Sequence, residues 1–165
     1  MKETLFLFCI ALQIYVVKAQ YWQTPNGIRE IPVVGLNDIA VASYDRYGPV
    51  IYYNPAVVSQ AGPLVTAFFQ AHEYGHHFLG HVSARLFNQN NPYIQQWLTR
   101  NAENAADEYS VRYHIRMGNR VVLQATFNSF MYLSNSGDAT HPPSQVRAQN
   151  IRNLYFLLTG TRLFP

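Results

Sequence analysis

The chain has 165 residues, of which 48% are hydrophobic and 15% aromatic, so it is long enough for a domain with a core and too apolar for a disordered protein. Its formal net charge is only +3, and the sequence contains neither an arginine-rich helix nor a basic arm. These features argue against a nucleic-acid-binding protein.

The N-terminal segment, residues 1–19, has the composition of a signal peptide. A lysine at the second position is followed by an apolar run over residues 5–17, and small residues precede Gln20. We therefore expect cleavage between Ala19 and Gln20, export to the periplasm or out of the cell, and one domain over residues 20–165. An uncleaved anchor is the competing interpretation and the one case in which we expect contact with a membrane.

Cysteine usage bears on the compartment and on the metal chemistry. Cys9 is the only cysteine, and it lies within the segment that we expect to be removed. The mature chain would then have no disulfide and no thiolate metal ligand. An exported chain of this kind is more typical of a bacterial envelope or secreted protein than of a small disulfide-stabilised domain.

The first part of the mature chain predicts a small strand region. Residues 20–35 are rich in turn-forming residues and predict an irregular lead-in, with short strands at residues 33–34 and 38–44. The clearest strand is Val50-Ile51-Tyr52-Tyr53, which Asn54-Pro55 closes. Two interpretations stay open for this strand: an ordinary core strand, or an edge strand that pairs with an extended polypeptide substrate.

A strongly apolar helix is predicted from Gly62-Pro63 to Gly80, and it contains the pattern H-E-x-x-H at His72, Glu73 and His76. Residues four apart lie on the same face of a helix, so both histidines are directed at one point. Two imidazoles and a neighbouring carboxylate are the arrangement of zinc proteases, in which the carboxylate acts as general base on a water.

The apolar character of this helix strengthens the metal interpretation. The alternative is an exposed helical turn that carries unrelated histidines. A helix that is apolar over most of its surface is buried, however, and two imidazoles and a carboxylate are costly to bury without partners. A bound metal ion would remove that cost.

Two further histidines follow the motif. His77 lies about 100° around the helix from His76 and is poorly placed to share its metal. His81 is a candidate third ligand, but the metzincin pattern requires glycine and histidine where the chain has Leu79 and Val82. We therefore interpret His77 and His81 as structural or surface residues.

A second helical region is predicted from Asn91-Pro92 towards Gly118, and it carries Glu103 and Asp107 on one face. Two alanines between them would let another helix approach closely. Glu103 is thus a candidate third metal ligand, and Asp107 a candidate partner for the far nitrogen of a metal-binding histidine. The alternative is an acidic turn exposed to solvent.

The C-terminal part of the chain predicts two more helices. One covers residues 121–133, and the other follows the segment His141-Pro142-Pro143-Ser144 with an apolar stripe on one face. Since short strands precede several helices, we expect an α+β fold.

Three separate blocks of this sequence resemble the gluzincin zinc peptidases, and among them the family of HtpX, BepA, Oma-type and CAAX prenyl proteases. The blocks are H-E-Y-G-H-H-F-L-G-H from His72 to His81, E-N-A-A-D from Glu103 to Asp107, and T-H-P-P with Arg147 from Thr140 onward. The chain departs from the family in size, because it has neither the transmembrane helices nor the repeat domain of its larger members.

The resemblance implies a zincin catalytic domain, with His72, His76 and Glu103 as ligands of one zinc ion and Glu73 as general base. It also implies that Asp107 supports a liganding histidine, most plainly His72. His141 would lie near the metal, either as a catalytic residue or as a latch over the open metal position. Arg147 would anchor His141 or its loop, with an ordinary structural salt bridge as the alternative.

The function expected from these residues is zinc-dependent endopeptidase activity on polypeptide substrates. A second possibility is a zinc-binding regulatory protein of the same fold that His141 keeps latched. A third is a metal-free structural domain of the cell envelope, in which the histidines belong to the core.

Overall fold

A computed structural model describes residues 27–133, 136–138 and 141–164, with the side chains of residues 96–98 excepted. This part of the chain forms an α+β fold, in agreement with the prediction. Its elements are β1 (Arg29–Pro32), β2 (Ala40–Asp45), β3 (Gly48–Tyr53), α1 (Pro55–Phe78), α2 (His81–Phe87), α3 (Pro92–Arg116), α4 (Arg120–Tyr132) and α5 (Ser144–Thr159).

The strands form one three-stranded sheet in the order β1-β3-β2. β3 pairs in parallel with β1, where Arg29 lies opposite Val50, and antiparallel with β2, where Ala42 lies opposite Ile51. The predicted lead-in was therefore wrong in part, because Arg29–Pro32 forms a strand and the short strand expected at residues 33–34 does not form.

The edge-strand interpretation of residues 50–53 was also wrong. Both edges of β3 are occupied along this stretch, by β1 on one side and by β2 on the other. A polypeptide cannot add to a strand whose backbone groups are already paired. Among the described strands, β2 rather than β3 borders the cleft described below.

Helix α1 begins earlier than predicted. Asn54 caps its N-terminus by accepting from the backbone N–H of Ala56 at 2.9 Å, and Pro55 occupies the first turn, where its missing N–H costs nothing. Gly62 has φ 77° and ψ 165° and interrupts the helix, so the predicted start at Gly62-Pro63 is the start of the second of two joined segments. The residues of the motif lie in that second segment.

Helices α1 and α3 approach each other closely beside the motif. A Cβ atom on Gly75 would lie 3.1 Å from the side chain of Tyr109, and Ala106 is completely buried. Ser110 donates a hydrogen bond to the carbonyl of Phe68 at 2.8 Å. These small residues allow the ligand candidates of the two helices to lie within hydrogen-bonding distance of one another.

The main core lies between α1, α3, α4 and α5 and holds this helical framework together. Its buried members share apolar side chains that point to the centre of the four helices, and they include Phe68, Val111, Leu123, Phe127 and Ile151. A smaller cluster of Ile28, Ala40 and Ile51 packs the sheet against α1. The two clusters fix the sheet and the helices on opposite sides of the motif.

Two further predictions concern the helix ends. Gly80 adopts a left-handed conformation with φ 74° and ends α1, as predicted, and α2, which the sequence did not predict, begins directly after it. Asn91 caps α3 through a hydrogen bond from the N–H of Ile94, in agreement with the predicted start.

The predicted signal peptide, residues 1–19, and its cleavage point before Gln20 lie outside the described residues. Export and a single domain over residues 20–165 therefore stay predictions. No helix within the described ranges is both long and apolar enough to cross a membrane.

Candidate metal centre

Helix α1 presents the three residues of the H-E-x-x-H motif from one buried stretch. His72, Glu73 and His76 are exposed by only 3%, 6% and 3%. The Nε2 atoms of His72 and His76 lie 3.0 Å apart, as expected for residues one helical turn apart on the same face. The two imidazoles therefore converge on one point inside the protein.

Glu103 of α3 reaches the same point. Its Oε2 atom lies 3.1 Å from Nε2 of His72, and its Oε1 atom lies 3.4 Å from Nε2 of His76. Zinc bonds of about 2.0–2.1 Å place tetrahedral ligand atoms about 3.3–3.4 Å apart, which is close to these separations. The three buried residues thus form a group that can hold a metal ion.

The charges of this group also favour a cation. Burial would lower the pKa of His72, but hydrogen bonds to Asp107 and Glu103 outweigh that effect and raise its pKa to about 10. Burial would raise the pKa of Glu103, but the neighbouring His72 and His76 hold it well below its usual range. The ionised carboxylate of Glu103 therefore favours a positive charge beside it, which a proton on an imidazole or a metal ion can supply.

Asp107 lies behind His72, as the resemblance implies. Its Oδ1 atom is 2.8 Å from Nδ1 of His72, so the imidazole lies between Asp107 on one side and Glu103 on the other. Burial raises the pKa of Asp107, but the charge of Arg147 outweighs it and keeps the pKa below its usual value. Asp107 is therefore an ionised acceptor that fixes which nitrogen of His72 faces the ligand group.

Arg147 binds Asp107 rather than His141. Its Nε and Nη2 atoms donate to the two oxygens of Asp107 at 2.8 and 2.7 Å, and its guanidinium lies over the ring of Phe130 at 4.6 Å. The side chain of Arg147 is 8% exposed. Arg147 was expected either to anchor His141 or its loop, or to form a structural salt bridge. The structure shows a salt bridge, and its partner is Asp107, the carboxylate beside His72.

Glu73 faces the cleft from the other side of α1. Its Oε2 atom accepts a hydrogen bond from the backbone N–H of Ala42 in β2 at 2.6 Å. The carboxylate is therefore fixed by the sheet and not by the helices that hold the metal-ligand candidates. The sequence did not predict this contact, because a backbone donor leaves no residue-type signal.

His141 lies at the mouth of the site. Its Nε2 atom is 3.9 Å from Oε2 of Glu103, and its Nδ1 atom is 3.3 Å from Oδ2 of Asp138. The backbone N–H of His141 donates to the same carboxylate at 2.7 Å. The resemblance implied the position of His141, whereas the role of Asp138 was missed. Thr140, which belongs to the same motif, lies outside the described residues.

The two remaining histidines near the motif have different surroundings. Nε2 of His77 lies 3.0 Å from the carbonyl of Val50 and connects α1 to β3, in agreement with a structural role. His81 lies behind the site, with its Nδ1 atom 3.2 Å from Nδ1 of His76. Burial and the neighbouring His76 lower the pKa of His81 to about 4.

A cleft of about 620 Å³ opens onto the ligand group. β2 forms one wall through Ala40, Val41 and Ala42, and the start of α5 and the end of α4 form the other. Both charged and apolar side chains line the cleft, among them Arg85, Glu103 and Phe69. Arg85 of α2 also lines it and donates to the carbonyl of Ala42 at 3.4 Å.

No protein-family model, curated protein or solved structure matches this chain. Within the described residues, His72, His76 and Glu103 are the buried group that can hold a metal ion.

Proposed function

We propose that the protein is a zinc-dependent endopeptidase of the zincin fold. The observation that carries the proposal is the convergence of His72, His76 and Glu103 at 3.0–3.4 Å, beside the carboxylate of Glu73. Two nitrogen ligands and one oxygen ligand suit zinc with an open fourth position, as catalytic zinc sites require. The resemblance to the gluzincin family supports the same conclusion.

In this proposal His72, His76 and Glu103 would hold one zinc ion, which would supply Lewis acidity at the site when bound. Glu73 accepts the proton of the attacking water and then delivers it to the leaving amine. The N–H of Ala42 holds the Glu73 carboxylate at the cleft throughout this transfer.

His141 is the candidate for stabilising the negative charge that develops on the carbonyl oxygen. Its Nε2 atom faces the cleft, and the carboxylate of Asp138 accepts from Nδ1–H, so Nε2 donates to the substrate when the ring carries both protons. His141 therefore lies where the substrate would bind and is not one of the metal-ligand candidates.

The polypeptide substrate would bind in extended form along the outer edge of β2. Alternate backbone groups of β2 point away from β3, and Ala42 is one of these positions because its N–H reaches Glu73. Strand addition at this edge would use the outward backbone groups of Ala40 and Tyr44, because those of Ala42 are engaged by Glu73 and Arg85. It would bring a peptide bond past the ligand group. In this proposal β2 takes the substrate-binding role that the sequence suggested for the strand at residues 50–53.

The direct test uses Glu73→Gln in a peptide-cleavage assay with parallel metal analysis. The variant should keep its zinc and lose hydrolysis, because the amide cannot accept the proton. Glu108→Gln is the matched control, since Glu108 is an exposed acid of α3 that pairs with Arg112. Chelation should abolish the wild-type activity and added zinc should restore it. Hydrolysis by Glu73→Gln at the wild-type rate would refute the mechanism.

The latched regulatory protein is the second candidate, and the position of His141 is what supports it. A side chain 3.9 Å from a ligand carboxylate is also placed to cover the open metal position. His141→Ala distinguishes the two candidates in the same assay. A large gain in hydrolysis indicates a latch, whereas a loss with zinc retained indicates stabilisation of the transition state.

A further inference from the structure

The two ring nitrogens of His76 have different surroundings. Nε2 faces the ligand group, 3.0 Å from Nε2 of His72 and 3.4 Å from Oε1 of Glu103. Nδ1 faces away from it, towards Nδ1 of His81 at 3.2 Å. The rings of His76 and His81 meet edge to face, with their centroids 5.2 Å apart and an angle of 72° between their planes.

This geometry fixes the proton positions if His76 binds a metal through Nε2. A neutral imidazole that gives one nitrogen to a metal carries its proton on the other, so Nδ1 of His76 becomes a buried donor. In the described part of the chain, its hydrogen-bonding neighbour is Nδ1 of His81. Two N–H groups cannot bond to each other, so His81 must accept through Nδ1 and carry its own proton on Nε2.

We propose that His81 is a positioning residue of the metal centre, which holds His76 in the tautomer and orientation that bind zinc. The inference rests on the proposed zinc site and adds to it a residue outside the ligand set. His81 touches neither of the other ligand candidates within hydrogen-bonding distance. It acts through His76 alone.

The end of α1 brings His81 to this position. On an uninterrupted helix, a residue five places after His76 would lie about 140° away around the axis. Gly80, in its left-handed conformation, ends the helix and turns the chain, so that His81 starts α2 and returns towards His76. Val82, the next residue, is buried and anchors α2 in this orientation.

The same geometry argues against His81 as a fourth ligand. Its Nδ1 atom is directed at the back of the His76 ring, on the side opposite the point where the ligand atoms converge. The group of residues whose ligand atoms lie within 4.8 Å of one another contains His72, His76 and Glu103. His81 therefore lies behind this group, in the same relation to His76 as Asp107 has to His72.

The test compares two substitutions at His81 by zinc affinity, measured in competition with a chromophoric chelator. His81→Asn keeps an acceptor near the position of Nδ1, whereas His81→Leu has similar bulk and no acceptor. We expect His81→Leu to weaken zinc binding by about 10–100-fold and His81→Asn to retain most of the affinity. Rescue by asparagine is the readout that a purely structural role would not produce.

His77 offers the matched control, because it follows His76 directly but bonds to the carbonyl of Val50. His77→Leu and His77→Asn should leave zinc affinity unchanged. Equal loss of affinity in His81→Leu and His81→Asn, or no loss in either, would overturn the inference. A wild-type protein that binds no zinc would overturn the proposed function as well, so the two failures are distinguishable.

A second measurement does not depend on the variants folding. The ¹⁵N chemical shifts of the imidazoles in the zinc-loaded wild-type protein report the tautomer of each histidine. We expect His81 to carry its proton on Nε2 and to have a bare Nδ1, and His76 to carry its proton on Nδ1. A proton on Nδ1 of His81 would contradict the proposal.

Discussion

The two sides of α1 hold the residues of the site by different means. On the side of α3 and α5, charged groups form a buried chain from His72 through Asp107 to Arg147. On the side of the sheet and α2, the supporting groups are uncharged. The backbone N–H of Ala42 donates to Glu73, and the imidazole of His81 lies behind His76. We refer to these as the charged side and the neutral side.

This difference determines how each side responds to the loss of one member. A buried charge without a partner is not compensated for the loss of its hydration. Breaking a buried ion pair therefore lowers the free energy of unfolding by about 3–5 kcal/mol. A single hydrogen bond from an uncharged donor contributes less, about 1 kcal/mol to an uncharged acceptor and about 1.5–3 kcal/mol to a carboxylate. We therefore expect the charged side to control stability and the neutral side to control chemistry at the site.

The largest effect should come from Asp107→Asn. The substitution leaves the guanidinium of Arg147 buried without the carboxylate that it binds, and we expect the free energy of unfolding to fall by about 3–5 kcal/mol. Zinc affinity should fall too, by about 10–100-fold, because His72 loses its carboxylate. Urea denaturation and chelator competition measure the two losses separately.

Glu108→Gln is the control for Asp107→Asn, since this exposed acid of the same helix forms an ion pair worth less than about 1 kcal/mol. Adding Arg147→Met to Asp107→Asn should recover part of the lost stability, because the uncompensated charge is then removed. If Asp107→Asn costs no more than Glu108→Gln, the buried chain does not have the energetic role that we assign to it.

An intermediate effect should come from Ala42→Pro on the neutral side. Proline removes the N–H that donates a hydrogen bond to Glu73, while the bonds between β2 and β3 persist because this N–H points away from β3. A hydrogen bond to a charged group is worth about 1.5–3 kcal/mol, so we expect kcat/KM to fall by about 10–100-fold with zinc retained.

Ala42→Gly keeps the N–H, removes only a methyl group and serves as the control. Its activity should stay close to that of the wild type. A glycine variant as impaired as the proline variant would show that the side chain or the strand geometry matters, and not the hydrogen bond to Glu73.

The smallest effect should be a change in pH dependence at His114, a buried residue of α3 remote from the site. Burial outweighs the hydrogen bond to the carbonyl of Ala67 and lowers the pKa of His114. The unfolded chain therefore binds the proton more readily, and the wild type should lose stability as pH falls below about 6.5. His114→Phe should lose less over the same interval.

Unfolding free energies of both proteins at about pH 7.5 and about pH 5.5 give this comparison. The difference between the two proteins removes the contribution of the metal centre, which both share. Parallel pH profiles would show that His114 is not held neutral by the fold.

The features that depend on helical periodicity could be predicted from the sequence alone. His72 and His76 lie on one face of α1 because they are four residues apart, and the same spacing puts Glu103 and Asp107 on one face of α3. Asn91 with the proline after it marks the start of α3 for an equally local reason, since the cap and the first turn are neighbours in sequence.

Which groups meet across different helices and strands depends on the tertiary fold. The order β1-β3-β2 makes the most strand-like stretch the interior strand, because strand pairing depends on partners distant in sequence. Arg147 turns to Asp107, and Ala42 reaches Glu73, through contacts that span 40 and 31 positions. His81 lies behind His76 because Gly80 ends α1 and turns the chain. Helical periodicity therefore does not predict the position of His81.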